Sequence, residues 1–320
     1  MKITVIGCGR WGSFIANYLD SIGHTVTLYG RESSPHMQEL LKTRRNSLMM
    51  LRESVKLSTV LDSECLDCDV LLISVASQAL RSVLTDVRKR GYAKGTLVLC
   101  MKGLEIDSGK RLSVLAREEL GENVKIAVWI GPGHVQEFSA GIPNCMVIDS
   151  EDEATKRCLV EEFSSPLIRF YYGEDLIGNE IGAAAKNVIG IAAGFLDGAG
   201  LSTLKGALMS RGTHEIARLI TALGGNGLSA YGLCHLGDYE ATVFSAYSHN
   251  RCFGEAFVRG QPFEGLAEGY YTVRALTKLS RDTGVELPIC QTVEDLLYNG
   301  LSAEDALSRL FGRSLKRELE

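Results

Sequence analysis

The sequence predicts an α/β protein, with a doubly wound parallel sheet over residues 1–178 followed by an all-helical domain over residues 179–320. Three observations carry that prediction. Short apolar runs alternate with helical patterns through the first half, as expected of a parallel sheet covered by helices on both faces. Strand-like runs stop near Gly178, and helix spacing dominates beyond it. A chain of 320 residues is long for one core and comfortable for two.

Taken in order, Lys2-Ile3-Thr4-Val5-Ile6 is an apolar run that ends in glycine. Phe14, Ile15, Tyr18, Leu19 and Ile22 then repeat at helical spacing, and Gly23 closes that helix. Thr25-Val26-Thr27-Leu28-Tyr29 is the second strand. Further strands are expected at residues 69–75, 96–101, 125–130 and 145–148. In the second half, residues 182–195 are rich in Ala, Gly and Ile on all sides, the pattern of a helix buried all round. Helical patterns follow at 204–223, 250–259, 269–283 and 302–311, the last opened by a Ser302/Asp305 capping pair.

Gly7-Cys8-Gly9-Arg10-Trp11-Gly12 is a GxGxxG between a strand and an amphipathic helix. In that setting each glycine has a task. Gly7 makes the tight turn, Gly9 lets backbone approach a pyrophosphate, and Gly12 lets helix pack against strand. The helix N-terminus offers N–H groups to the phosphates. The sheet is therefore expected to be of the Rossmann type and to bind a dinucleotide. The second strand runs out into Leu28-Tyr29-Gly30-Arg31-Glu32. An acidic residue at its end would bond the ribose of NAD. Arg31 suits a 2′-phosphate instead, so the expected cofactor is NADP or NAD, with Glu32 one place further keeping NAD open.

Three local patterns suggest chemistry. Met101-Lys102-Gly103-Leu104-Glu105 and Ile130-Gly131-Pro132-Gly133-His134 both end strands, at the ligand edge of such a sheet. Lys186-Asn187 lies inside the apolar helix, among Ala183, Ala184, Ala185, Val188 and Ile189. Two readings stand for that lysine. Burial lowers its pKa and makes it a general acid or base near neutrality, or its stem lies along the core while the amine reaches water.

Composition excludes several classes. The net charge is −5, and the basic runs at residues 42–45 and 88–90 are short, so no nucleic-acid partner is expected. No stretch reaches the roughly 20 apolar residues of a membrane span, and the first residues read as a strand, not a secretory leader. The nine cysteines are scattered and odd in number, which suits a reducing cytoplasm. The CxxC at Cys65 and Cys68 lacks a second pair, and the six histidines lack ligand spacing, so no metal is expected. The expected partner is a small-molecule substrate, and a homodimer is compatible with the sequence.

The chain resembles the bacterial-type NAD(P)-dependent glycerol-3-phosphate dehydrogenases over nearly its whole length. Ten ordered segments carry the likeness, at residues 7–12, 75–81, 102–105, 131–137, 182–194, 211–212, 237–238, 248–254, 268–269 and 312–313. Lys186-Asn187-Val188-Ile189 is the most specific of them. The resemblance implies reversible hydride transfer between NAD(P)H and dihydroxyacetone phosphate or glycerol 3-phosphate, in the supply of glycerophospholipid precursors. It implies that Lys186 donates the proton to the reduced carbonyl oxygen, with Lys102 as a second cation there. Asp238 would position Lys186 and a substrate hydroxyl, assisted by Thr242. Ser248, His249 and Asn250 would occupy the substrate-phosphate motif, and Gly131 and Gly133 would border the substrate. Gly7, Gly9, Arg10, Trp11, Gly12, Arg31, Lys102, Val135 and Glu268 would line the cofactor.

Three positions depart from the family pattern. His249 stands where the family has arginine, Gly133 where it has Ser or Thr, and Asn46-Ser47-Leu48-Met49-Met50 where it has an Asn followed by a Leu-Pro pair. Arg251 is no obvious replacement for the missing arginine, because the family also has a basic residue there. The first two departures concern the substrate pocket. They keep open a same-fold dehydrogenase acting on another small phosphorylated or carboxylated alcohol. A catalytically silent nucleotide-binding protein is the remaining alternative. Lys102, Lys186 and Asp238 argue against it, since a silent protein has no need of two lysines beside a buried helix.

Overall fold

The structure, a computed structural model, describes residues 1–315, 317 and 318. It divides into two compact units. One comprises Met1–Met101 with Leu112–Leu176, the other Lys102–Arg111 with Ile177–Glu320. In chain order the change of unit falls at the start of a long helix. The short segment 102–111 belongs with the second unit although its neighbours belong to the first.

The first unit is built as β1 (Lys2–Ile6), α1 (Arg10–Ser21), β2 (Thr25–Tyr29), α2 (Pro35–Thr43), β3 (Lys56–Ser58), α3 (Ser63–Leu66), β4 (Val70–Ile73), α4 (Leu80–Lys89), β5 (Gly95–Leu99), α5 (Leu112–Leu120), β6 (Val124–Ile130), α6 (Val135–Ser139), β7 (Asn144–Ser150), α7 (Glu153–Phe163) and β8 (Ile168–Tyr172). The strands form one sheet in the order β3-β2-β1-β4-β5-β6-β7-β8. Strand order reverses between β1 and β4, and the crevice at their carboxyl ends is where such sheets take ligands. The glycine motif begins one residue after β1.

The sheet is doubly wound as expected, with one exception to parallel pairing: β7 runs antiparallel to β6. The connection explains this. A parallel return needs an element long enough to carry the chain back along the sheet. The five-residue α6 rises roughly 7 Å, while the seven residues of β6 span about 23 Å. Two strands escaped the sequence reading. β3 is only three residues with one apolar side chain, and β8 is an edge strand whose residues are mostly exposed.

The core of the first unit gathers aromatic rings around the fully buried Trp129. The rings of Trp11, Tyr18, Phe163 and Phe170 lie 4.9–6.2 Å from its centroid, several of them edge-on. Such geometry directs ring edges at ring faces and adds to area burial.

The second unit consists of α8 (Leu176–Gly198), α9 (Lys205–Ala222), α10 (His249–Val258), α11 (Glu268–Thr283), α12 (Pro288–Tyr298) and α13 (Ala303–Phe311), with short irregular turns between α9 and α10. α8 is six residues longer at its start than the apolar pattern indicates, and it is buried through almost all of residues 180–195. Glycines let its neighbours close in. A Cβ on Gly194 would lie 2.0 Å from the Arg251 carbonyl oxygen, and one on Gly254 would lie 2.2 Å from that of Ile191. Segment 102–111 joins this unit because Leu104 is fully buried in its core and Arg111 pairs with the buried Glu180 at 2.7 Å. α12, which opens with Pro288, was missed in the sequence. Its first N–H groups, on Ile289 and Cys290, are satisfied from another helix by the Glu215 carboxylate. Burial raises that carboxyl to about 7. Among the described residues no helix is long and apolar enough to cross a membrane.

Gly12 gives a direct test of the glycine packing. A Cβ there would lie 1.8 Å from the Gly7 carbonyl oxygen, a backbone atom that cannot swing away. Gly12→Ala is expected to cost about 1–3 kcal/mol as an overpacked site, read as a lower denaturation midpoint. An unchanged midpoint would mean that helix and strand part at no cost.

Candidate active site

Two constellations emerge, one in each unit. In the first, Gly7 adopts φ +114°, and a Cβ there would lie 2.1 Å from the Ser74 carbonyl oxygen. Nothing lies within 4 Å of the place a Gly9 Cβ would take. Gly9 is also the N-cap of α1, and it brings no side chain over the first turn. The first N–H groups of a helix lack intrahelical acceptors, so the loop offers donors together with open space. These residues fit a dinucleotide pyrophosphate.

The other cofactor candidates divide. Arg31 is exposed just beyond β2, and Arg10 opens α1 half-buried. Trp11 is partly buried and stacks 5.3 Å from Phe14, so its ring is held by the aromatic core. Val135 is buried at the start of α6. Glu268 opens α11 in the second unit. Gly131 and Gly133 have φ +123° and +144°. A Cβ on Gly133 would meet the Phe138 ring at 2.3 Å. The space that a serine or threonine would use is filled by that ring.

The second constellation lies wholly in the helical unit. Lys102 follows β5 in sequence, Lys186 stands midway along α8, and Asp238 ends a short 3₁₀ turn. Thr242 lies in a π-type turn, Glu240–Phe244, a geometry that recurs at functional sites. Both lysines reach the same carboxylate oxygen. Asp238 Oδ2 accepts from Lys102 Nζ at 2.6 Å and from Lys186 Nζ at 3.0 Å. Lys186 Nζ also donates to Thr242 Oγ1 at 2.8 Å. Asp238 is 1% exposed, and its other oxygen, Oδ1, is buried without a hydrogen-bond partner among the described residues. A buried carboxylate oxygen left unmatched is costly, and here it marks a place for a donor from outside the chain.

Lys186 is 8% exposed and does not extend to the surface. Burial lowers its pKa to about 8, the Asp238 carboxylate works against that fall, and Lys102 adds to it. Of the two sequence readings, the geometry supports the buried amine with a lowered pKa.

A chain of amides supports the lysines. Asn187 donates from Nδ2 to the Lys102 carbonyl at 3.0 Å. Asn250 Nδ2 donates to Asn187 Oδ1 at 3.0 Å, and the Gly269 N–H donates to Asn250 Oδ1 at 2.9 Å. Asn250 thus ties α8, α10 and α11 together. Ser248 is the N-cap of α10, its hydroxyl accepting from the Arg251 N–H at 3.3 Å. His249, the first residue of α10, is exposed, with Nδ1 3.3 Å from the Leu266 carbonyl oxygen. Arg251 turns away, to Asp197 at 2.9 Å and Glu255 at 2.7 Å. His235 is fully buried, with Nδ1 2.9 Å from the Gly182 carbonyl oxygen and Nε2 2.7 Å from the Tyr239 hydroxyl. Burial lowers its pKa to about 4, so at neutral pH it is an uncharged brace. His134, by contrast, stands at the N-cap of α6 in the first unit.

Sequence comparison covers both halves of the chain. The sequence models described as the N-terminus and the C-terminus of NAD-dependent glycerol-3-phosphate dehydrogenase match residues 2–156 and 175–308. The chain belongs to that family. A glycerol-3-phosphate dehydrogenase [NAD(P)+] of Prosthecochloris aestuarii is 34% identical, with all of both chains covered. One of Bacillus anthracis is 35% identical over all of this chain and 98% of the relative. The crystal structure of glycerol-3-phosphate dehydrogenase from Coxiella burnetii superposes with a TM-score of 0.91 at 29% identity, covering 98% of this chain and 99% of that one.

Among the residues that the family resemblance singled out, Lys102, Lys186, Asp238 and Thr242 are drawn into one bonded group. Ser248, His249 and Asn250 are gathered at the start of α10. Sequence reasoning missed Asp197 and Lys205. Each is an ordinary charged residue in the sequence, and only their burial together distinguishes them.

Asp238→Asn keeps the size of the side chain and removes its charge. Because the carboxylate raises the Lys186 pKa, its loss should drop that pKa below about 8. Lys186 should then react with an amine-selective reagent at lower pH, measured by peptide mass spectrometry. A midpoint that stays put or rises would contradict the coupling.

Proposed function

We propose that the chain catalyses reversible hydride transfer between NAD(P)H and the carbonyl carbon of dihydroxyacetone phosphate, giving glycerol 3-phosphate. The observation that carries this reading is the pair of lysines on one buried carboxylate oxygen, with the other oxygen of Asp238 unmatched. That set stabilises negative charge on a carbonyl oxygen, supplies one proton, and accepts a hydrogen bond from a neighbouring hydroxyl.

Gly7, Gly9 and Gly12 would hold the cofactor pyrophosphate, and Arg31 would face a 2′-phosphate, which favours NADP over NAD. The cofactor when bound supplies or accepts the hydride. The chain's own residues handle the rest. Lys186, in its ammonium form, gives a proton to the substrate oxygen during reduction and takes it back during oxidation. Lys102 lowers the energy of negative charge on that oxygen. Asp238 keeps both ammonium groups in place and accepts from the substrate hydroxyl through Oδ1. Thr242 fixes the direction of the Lys186 amine. The N-terminus of α10 and His249 would bind the phosphate, since a helix N-terminus favours anions. None of the nine cysteines is in a disulfide with another described residue, which accords with a reducing, cytoplasmic setting.

The pH dependence follows from Lys186. Reduction needs the ammonium, present below about 8, and oxidation needs the neutral amine, present above it. The rate of dihydroxyacetone phosphate reduction should therefore fall as pH rises through about 8, while glycerol 3-phosphate oxidation should rise. Lys186→Ala should lose about 10² to 10⁴ in rate while still binding the cofactor, as followed by fluorescence. A variant with most of the wild-type kcat would remove Lys186 from the mechanism.

His249 tests the substrate. Arginine offers a phosphate a planar fork of five donors, more than the two ring nitrogens of an imidazole can present. If the substrate carries a phosphate, His249→Arg should lower KM for dihydroxyacetone phosphate. A high wild-type KM that arginine leaves unchanged would favour another small alcohol as substrate.

A further inference from the structure

We propose that Asp197, Lys205 and Arg251 form a positioning cluster that sets the spacing between the proton-handling end of the active site and its phosphate-binding end. The proposal rests on the function argued above. Asp197 lies near the end of α8. Its Oδ2 accepts from Lys205 Nζ at 2.6 Å and from Arg251 Nη1 at 2.9 Å. Its Oδ1 accepts from the Ser202 hydroxyl at 2.7 Å. The three charged side chains are only 9–13% exposed.

Each cation has a second bond, and both second bonds end on the same stretch of backbone. Lys205 Nζ donates to the Val243 carbonyl at 3.1 Å, the residue directly after Thr242. Its ammonium also lies 5.2 Å from the centre of the Phe244 ring. Arg251 Nε donates to the Ser245 carbonyl at 3.0 Å. The segment they grip begins at Thr242, the partner of Lys186, and runs to Ser248 and His249 at the start of α10. One carboxylate thereby links the acceptor of the proton donor's amine to the helix end that would bind phosphate.

The physical case is one of direction. Burying three charges costs solvation, and apolar side chains of the same volume would pack as well or better. Apolar side chains cannot hold carbonyl groups in place, however. Charge-assisted bonds from Lys205 and Arg251 can. The carbonyls they hold belong to a π-type turn and the loop after it, where the regular helical ladder does not supply donors. A substrate whose phosphate and carbonyl are separated by fixed covalent bonds needs that distance to be constant.

The two cations act on opposite ends, so their removal should leave different kinetic signatures. Lys205→Met should lower kcat for dihydroxyacetone phosphate reduction about 10²-fold, the order expected for an ångström of misplacement, with KM little changed. Lys205→Arg should recover most of kcat, since its fork can reach both Asp197 and the Val243 carbonyl. Arg251→Met should instead raise KM and weaken inhibition by inorganic phosphate, with kcat less affected. NADH affinity should stay at the wild-type value in every variant that folds. If Lys205→Met does not fold, Asp197→Asn replaces it, with both kcat and KM expected to move. A folded Lys205→Met with wild-type kcat would overturn the proposal. So would a loss of kcat that Lys205→Arg does not recover. A wild-type protein that reduces no dihydroxyacetone phosphate would overturn the proposed function instead. Calorimetry with inorganic phosphate then decides the cluster: weaker binding by Arg251→Met upholds it, and unchanged binding overturns it.

Discussion

The helical unit depends on one constraint, the matching of a carboxylate buried at Asp238. A charge this far from water must be paired, and two lysines from distant parts of the chain do so on a single oxygen. Their convergence fixes where segment 102–111 lies, which face of α8 turns toward the 236–242 turns, and where Thr242 must stand. The remaining oxygen of Asp238 has no hydrogen-bond partner among the described residues. The fold thus carries a local energetic cost at that oxygen, which a donor from outside the chain would remove. Stability given up at a site in this way is a common feature of binding surfaces.

Glycine makes that matching possible. Lys186 can be buried because α8 is approached on several sides at distances a side chain would prevent. A Cβ on Gly269 would lie 2.6 Å from the Asn187 carbonyl oxygen, and one on Gly190 would lie 2.7 Å from a Thr242 methyl. The same principle governs the first unit. Gly7 and Gly12 bring strand, turn and helix into contact, while Gly9 alone faces open space. Of the three glycines, two close the turn against backbone and the third leaves the helix start open.

Charged groups are used in two ways. His235 and Glu215 sit in the core, and burial pushes their pKa values toward the neutral form, down to about 4 and up to about 7. They brace backbone. Lys186 experiences the same desolvation beside a carboxylate, and the two effects leave it near neutrality. A group that must give and take a proton needs such a balance. Burial alone would push the amine further down, and the carboxylate alone would hold it up.

The sequence by itself determined the fold class, the alternation of strands and helices, and the place of the glycine-rich loop between β1 and α1. Each of these rests on local periodicity or on glycines whose roles are set by near neighbours. It also marked Lys186, because a lysine inside an apolar helix is anomalous wherever that helix packs. β3 was not legible, since three residues with one apolar side chain carry no pattern, and β8 was missed because its five residues, Ile168–Tyr172, are too few to show a period. The reversal of β7 was decided by the reach of a short connection. Only the tertiary structure decided that Lys102 and Lys186 share one oxygen of Asp238, that Arg251 turns to Asp197, and that Phe138 fills the space beside Gly133. The reason is physical. Charge pairing and close packing act between residues far apart in the chain, and neither leaves a periodic trace in the sequence around any one of them.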